Sequence, residues 1–351
     1  MNHTHNNRDI ETGYKANLTK KTLIIFALAI GCILVAGISL TVNYRDIGFL
    51  DCYRYIFNHI LGTEYEFGTE EWFNDYILWN TYAPRIAIAI VCGCSLAVSG
   101  TLMQAVLGNP LADPYTTGVS DGATLGATVA IITGMSFSTA AGSMGIVTNA
   151  FVGSIVPAMI LIFLNGIIRM SSVTCILVGT ALSGIFGGIQ TMLMYSADPD
   201  TLTTALRWGI GTFNQTSWDD CTIPLVVTIA SIAISCLLCK KLNILTLGDE
   251  SAKSLGLDTD IFKAFCMALA AIISAAVVCY VGIIGFVGLI SPHIVRMVLG
   301  GDNKFVLPAS MLSGSFLLLV SDLLSRIVIY PEELRVGVIM SVIGAPVFLY
   351  M

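Results

Sequence analysis

The sequence predicts an all-α membrane protein that crosses the lipid bilayer about ten times. Three observations predict it: too little charge for a soluble chain, a series of long apolar runs, and lysines confined to alternate connections. Of 351 residues, 55% are apolar, and the mean hydropathy is +0.82. Charged residues make up 11%, less than half of the roughly 25% usual in soluble domains. A spanning helix uses roughly 20 apolar residues, so this content furnishes at most about nine or ten spans. That balance excludes a soluble enzyme, a disordered chain and a nucleic-acid-binding domain.

The polar residues 1–21 end in Lys20-Lys21 and read as a tail ahead of a single membrane domain, 22–351. The first run, 22–42, exceeds 20 residues without a small-residue cleavage site, so it reads as a retained span. Residues 43–83 form a loop carrying Glu64, Glu66, Glu70, Glu71 and Asp75, with Trp72, Tyr76 and Trp79 placed to anchor a short interfacial helix. Further runs fall at 84–107, 115–134, 145–168, 173–195 and 222–239, then at 263–283, 285–299, 306–328 and 335–350. Gly179, Gly184, Gly187 and Gly188 read as packing surface, because small residues let helices approach where lipid supplies no hydrophobic drive. Pro292 interrupts the short run 285–299, which is therefore expected to be tilted, broken or partly re-entrant.

Basic residues orient the spans. With a cytoplasmic N-terminus and ten spans, the cytoplasmic side holds Arg8, Lys15, Lys20, Lys21, Arg169, Lys240, Lys241, Lys253, Lys263, Arg296 and Lys304. The outer side holds Arg45, Arg54, Arg85, Arg207, Arg326 and Arg335, so every lysine lies inside and both termini are cytoplasmic. Eight of the ten cysteines lie in or beside apolar runs, where a thiol behaves as a small hydrophobe. Neither Cys92-Gly93-Cys94 nor the Cys236/Cys239 pair has a second cysteine pair or His cluster to complete a metal centre. Cys52 and Cys221 sit in polar stretches, free or paired.

The cytoplasmic loop 240–262 contains Leu247-Gly248-Asp249-Glu250-Ser251-Ala252-Lys253-Ser254-Leu255-Gly256. Gly248 can end one turn, Asp249 can cap a short helix, and Gly256 can terminate it. Ala252 and Leu255 would share one face, and Asp249 and Lys253 another. Such a helix suits docking to a cytoplasmic partner, and equally a connecting turn.

Three further stretches are too particular for generic membrane sequence. The first joins Ala83-Pro84-Arg85-Ile86, Ser99-Gly100, Gln104, Gly108-Asn109-Pro110-Leu111-Ala112-Asp113-Pro114 and Gly118-Val119-Ser120-Asp121-Gly122-Ala123. The second is Gly285-Phe286-Val287-Gly288-Leu289-Ile290-Ser291-Pro292-His293-Ile294-Val295-Arg296. The third joins Asp322-Leu323-Leu324-Ser325-Arg326, Glu333-Leu334-Arg335-Val336-Gly337 and Ile343-Gly344-Ala345-Pro346-Val347-Phe348. With the loop above, these closely resemble the FecCD family of ABC importer permeases, in unbroken order from about residue 83 to residue 351.

The resemblance implies the type II importer architecture of ten helices per subunit. Two permease subunits, identical or homologous, would line one pathway, two cytoplasmic ATPase subunits would sit beneath, and an extracytoplasmic binding protein would dock above. The coupling element of such permeases lies between spans six and seven, where Leu247, Gly248, Asp249, Glu250, Ala252, Lys253, Leu255 and Gly256 fall. Because no Gly-x-x-x-x-Gly-Lys-[Ser/Thr] loop occurs, ATP, its Mg and hydrolysis belong to the partner, and this chain needs no cofactor or metal of its own. Arg85 and Arg326 stand at helix ends, where an arginine can simply snorkel. By resemblance they would grip carboxylates of the binding protein through a bidentate fork. Tyr82 replaces a frequent second arginine, and Arg335, in place of a usual proline, would compensate.

His293 alone makes a poor iron site, and with Arg296 reads as a polar helix end. Asp121 would be costly facing lipid, so it faces protein or the pathway. Gln104, Asn109, Asp121, Pro292 and His293 are the pathway or packing candidates, Asn109 also serving as a turn residue. An intramembrane enzyme would need paired acids or a His-Glu-x-x-His motif, and the runs hold neither. An ion-coupled secondary transporter would rely on Asp121 and Asp322. For cargo, the resemblance points first to a ferric siderophore, then to haem or cobalamin.

Overall fold

The computed structural model describes residues 2–42, 47–138, 143–168 and 172–350. Among the described residues there are fourteen α-helices and no strand. Seven helices are long and apolar enough to cross a membrane, and three shorter apolar ones complete the ten expected runs. Of the basic residues that set the orientation, Arg45 and Arg169 lie outside the described residues.

Helix α1 (Asn2–Thr41) is continuous, so the polar tail and first span form one helix. The segment that follows also carries two helices, α2 (Phe49–Ile60) and α3 (Glu70–Ile77). Thr69 caps α3 by accepting the Trp72 N–H at 3.2 Å. The aromatics pack on one another and on a neighbour: Trp72 stacks on Tyr76 at 5.2 Å and Trp79 on His59 at 4.2 Å. A π-helical turn, Leu78–Tyr82, carries the chain directly into α4 (Ala83–Leu107).

Helix α4 is the axis of the bundle. Around it stand α9 (Trp218–Leu245), α11 (Thr259–Val281), α12 (Val287–Leu299) and α13 (Asn303–Ile327). A methyl on Gly100 would collide with the Gly288 carbonyl of α12, and one on Gly93 with the Gly314 backbone of α13. Hydroxyls supply the polar contacts: Ser99 donates to the Ala270 carbonyl at 2.7 Å, deep in the packed interior. Close backbone approach and interhelical hydroxyl bonds are what hold helices together in lipid. Helices α5 (Val119–Thr133), α6 (Ser143–Ile168) and α7 (Ser172–Tyr195) form a second group beside this axis. Gly179 packs on the Thr116 and Thr117 backbone, whereas Gly184, Gly187 and Gly188 border open space on α7. The packing role expected for those three is therefore not met within the chain.

Helix α12 has 13 residues, and at 1.5 Å per residue spans only about 20 Å of a roughly 30 Å bilayer core. The extended chain before it is satisfied by neighbouring backbone: Gly211 N–H donates to Ile283 O and Thr212 N–H to Val281 O, both at 2.8 Å. Non-helical backbone at membrane depth needs such partners. Pro292 lies inside α12 without an N–H for the Gly288 carbonyl, the atom against which Gly100 packs. The run 285–299 is thus one short helix, continuous through Pro292 and preceded by extended chain.

The two ends of the bundle are chemically distinct. At one, Lys21 sits 5.1 Å over the Phe305 ring, near the start of α13. At the other, Arg326 reaches the Ser39 and Val42 carbonyls at the far end of α1. The helix α8 (Pro199–Trp208) at this far end escaped the sequence reading because it is short and amphipathic. Asp198 caps it, accepting the Asp200 and Thr201 N–H groups at 3.1 Å and the Thr201 hydroxyl at 2.7 Å. The Thr201 bonds hold the Asp198 carboxyl below its ordinary range. A depressed folded value means that the cap stabilises above the unfolded range and is lost as pH falls through the folded one. Asp198→Ala is expected to speed amide exchange at Asp200 and Thr201 at neutral pH; unchanged protection would refute the cap.

Candidate functional site

Two sites emerge, one at each end. At the lysine-bearing end, α10 (Asp249–Ser254) bridges α9 and α11. Gly248 adopts φ +95 and is itself the residue before the helix, so Asp249 is its first residue rather than the expected cap. The helix ends as expected at Gly256, φ +84, where Gly256 N–H donates to Lys253 O and Leu257 N–H to Ala252 O, both at 3.0 Å. Asp249 pairs with Lys263 at 2.6 Å and Lys253 with Asp260 at 3.1 Å, so the two do not pair with each other. Ala252 is fully buried against the bundle, while Leu247 and Leu255 are 63% and 62% exposed and Glu250 is exposed. The expected shared face of Ala252 and Leu255 is thus split: one roots the helix and the other points out.

The root of α9 is tied to the α12–α13 corner. The Asn243 carbonyl oxygen accepts the Asn303 backbone N–H at 2.9 Å and its side-chain amide at 2.8 Å. Arg296 donates to Asn303 at 3.0 Å, one turn beyond the half-buried His293. Asn303 is fully buried and Asn243 half-buried, so the amide joint is shielded from water on the Asn303 side.

At the far end, Arg85 and Arg326 turn inward. Arg85 donates through Nε to Asp322 and through Nη1 to Glu333, both at 2.8 Å. Arg326 lies 3.3 Å from Asp322, bonds the Ser39 hydroxyl, and sits over the Tyr82 ring at 5.6 Å. Each arginine is 5% exposed. In this conformation neither presents its fork to an outside partner, because intramolecular carboxylates and carbonyls already occupy it. Arg335 is half-buried on the same face, and its Nη1 donates to Arg207 O at 2.6 Å and Ile210 O at 2.9 Å. Burial, and then the neighbouring Arg207 charge, lower the Arg335 pKa. Arg207 itself is exposed. No linear pattern places residue 207 beside 335; only the unrecognised α8 does so. Below them opens a cavity of about 480 Å³ lined by Gly209, Ile210, Ile283, Gly285, Gly337 and Ser341, with no charged side chain.

The remaining candidates are dispersed. Gln104 donates to the Leu289 carbonyl at 3.1 Å in the α4–α12 interface. Asn109 accepts the Leu111 N–H at 3.0 Å, a turn role. Asp121 is half-buried and accepts the Ser183 hydroxyl at 2.6 Å, facing protein on α7. All ten cysteines are free, and burial pushes the Cys52 thiol up to about 11. Among the described residues no cluster of His, Cys, Asp and Glu could hold a metal.

Comparison with known proteins fits this arrangement. An ABC transporter permease of Methanocaldococcus jannaschii is 35% identical over 351 residues, covering 98% of this chain and 97% of that one. The hemin transport system permease of Yersinia pestis is 34% identical over 79% of this chain and 83% of its own length. The cobalamin import system permease of Halobacterium salinarum is 36% identical over 76% and 71%. A solved inward-facing metal-chelate type ABC transporter superposes with TM-score 0.79 at 28% identity, covering 93% of this chain and 97% of that one. The profile of the FecCD transport family matches residues 28–351, and the chain belongs to that family of membrane-spanning ABC transporter permeases.

Proposed function

We propose that the chain is the permease of an ATP-driven importer carrying an iron chelate, a ferric siderophore foremost, across the cytoplasmic membrane of a bacterium. Haem or cobalamin is the alternative cargo, since relatives are named for both. The observation that carries the reading is α10. It is a short helix rooted by Ala252 and braced by the Asp249–Lys263 pair, and it holds Leu247 and Leu255 out at the lysine-bearing end. An exposed leucine pair on a braced helix is suited to burial in a partner, here a cytoplasmic ATPase subunit that holds ATP and Mg. Both termini lie on that cytoplasmic side. At the outer face, Arg335 with Arg207 offers paired cations to the carboxylates of an extracytoplasmic binding protein. The uncharged cavity beneath fits a pathway that releases cargo rather than retaining it.

A second permease subunit, this chain again or a homologue, would complete the pathway against faces such as the open glycines of α7. Alternating access follows when ATP-dependent closure of the ATPases moves α10 and the Asn243–Asn303 joint passes that motion toward α12. The intramembrane carboxylates are not arranged for ion coupling: Asp322 is held by two arginines and Asp121 by Ser183. Reconstituted with ATPase subunits and binding protein, the permease is expected to accumulate radiolabelled ferric chelate only with hydrolysable ATP. Accumulation driven by an ion gradient alone would refute the proposal.

A further inference from the structure

The far-end ion cluster is balanced in charge, with Arg85 and Arg326 against Asp322 and Glu333, but its members are unequally fixed. The Asp322 side chain is 1% exposed and serves both arginines. The Glu333 side chain is 22% exposed and holds Arg85 through Nη1. It comes from the turn between α13 and α14 (Val336–Tyr350), whose residues Val328, Ile329 and Tyr330 are exposed. Glu333 therefore lies between solvent and one edge of a guanidinium that is otherwise sealed.

We propose that Glu333 is a displaceable stand-in for a partner's carboxylate. It occupies on Arg85 the place that an acidic side chain of the docking protein takes when the two surfaces meet. The proposal rests on the reading that a binding protein docks on this outer face. Exchange of one carboxylate for another keeps Arg85 doubly paired at every stage, whereas simple opening would leave it with Asp322 alone, a carboxylate it shares with Arg326. The released Glu333 returns to water on an exposed turn, and Asp322, bridging two arginines, stays. Such exchange favours selectivity, because a surface without an acid correctly placed cannot replace Glu333.

The test is the affinity of the assembled transporter, in nanodiscs, for its own binding protein at low salt. Glu333→Gln, which removes the competing charge and keeps a hydrogen-bonding side chain, is expected to tighten binding by about tenfold. Glu332→Gln removes the same charge from an exposed neighbour, and is expected to change affinity less than about twofold. Equal tightening in both variants overturns the exchange in favour of general electrostatics. Unchanged or weaker binding in Glu333→Gln also overturns it. In that case Arg335→Glu decides what else falls: weakened docking leaves the outer-face reading standing, and unaltered docking removes both. If Glu333→Gln does not assemble, Glu333→Asp, with a shorter reach to Arg85, is expected to tighten binding in the same direction, and its failure to do so counts against the exchange.

Discussion

Replacing Asp322 with alanine is expected to lower the thermal stability of the purified permease by more than any single change at its exposed surface. The carboxylate pairs with Arg85 at 2.8 Å and Arg326 at 3.3 Å while almost wholly removed from water. Its loss leaves Arg326 with the Ser39 and Val42 oxygens and Arg85 with Glu333 alone. Breaking a buried pair by removing one partner costs about 3–5 kcal/mol, because the remaining charge stays desolvated. Two arginines share that loss here, and they tie α1, α4 and α13 together at one end of the bundle. Asp322→Asn, which keeps the shape and an acceptor oxygen, should lie between alanine and wild type. Thermal unfolding in detergent checks the order. A midpoint for Asp322→Ala within about 1 °C of wild type would show that the cluster contributes nothing to stability.

That same cluster shows where sequence reading stops. The ten apolar runs were legible because a span needs about twenty apolar residues and the bilayer imposes that length on each. The short helix α12 was legible from a run too short to cross, although the helix continues through Pro292 rather than breaking there. The short helix α10 was legible from Gly248 and Gly256, whose positive φ values only glycine adopts freely. What linear order cannot show is which charges meet. Arg85 and Asp322 are 237 residues apart, and each alone resembles a snorkelling or docking residue at a helix end. Pairing with Asp322 turns two of the three expected docking arginines, Arg85 and Arg326, inward, and Arg335 is half-buried beside the exposed Arg207. Helix α8 was missed for a related reason: amphipathic over ten residues, it has no apolar run to announce it. Ser99 belongs to a recognisable motif, but its hydrogen bond to the Ala270 carbonyl, 171 residues away, is not readable from linear order.

Leu247→Asp combined with Leu255→Asp is expected to abolish transport while leaving the permease itself intact, the opposite signature to Asp322→Ala. Both leucines are more than half exposed in the chain, so changing them removes little internal packing and the midpoint of unfolding should not move. In an ATPase complex their burial would contribute about 1.5–3 kcal/mol each, and an aspartate buried without a partner would add a penalty. Loss of even half that sum weakens association by roughly tenfold to a hundredfold. The expected result is loss of ATPase subunits on size-exclusion chromatography, with uptake at background and normal permease yield. Wild-type uptake in the double variant would mean that α10 is a connecting turn and that coupling runs through another surface.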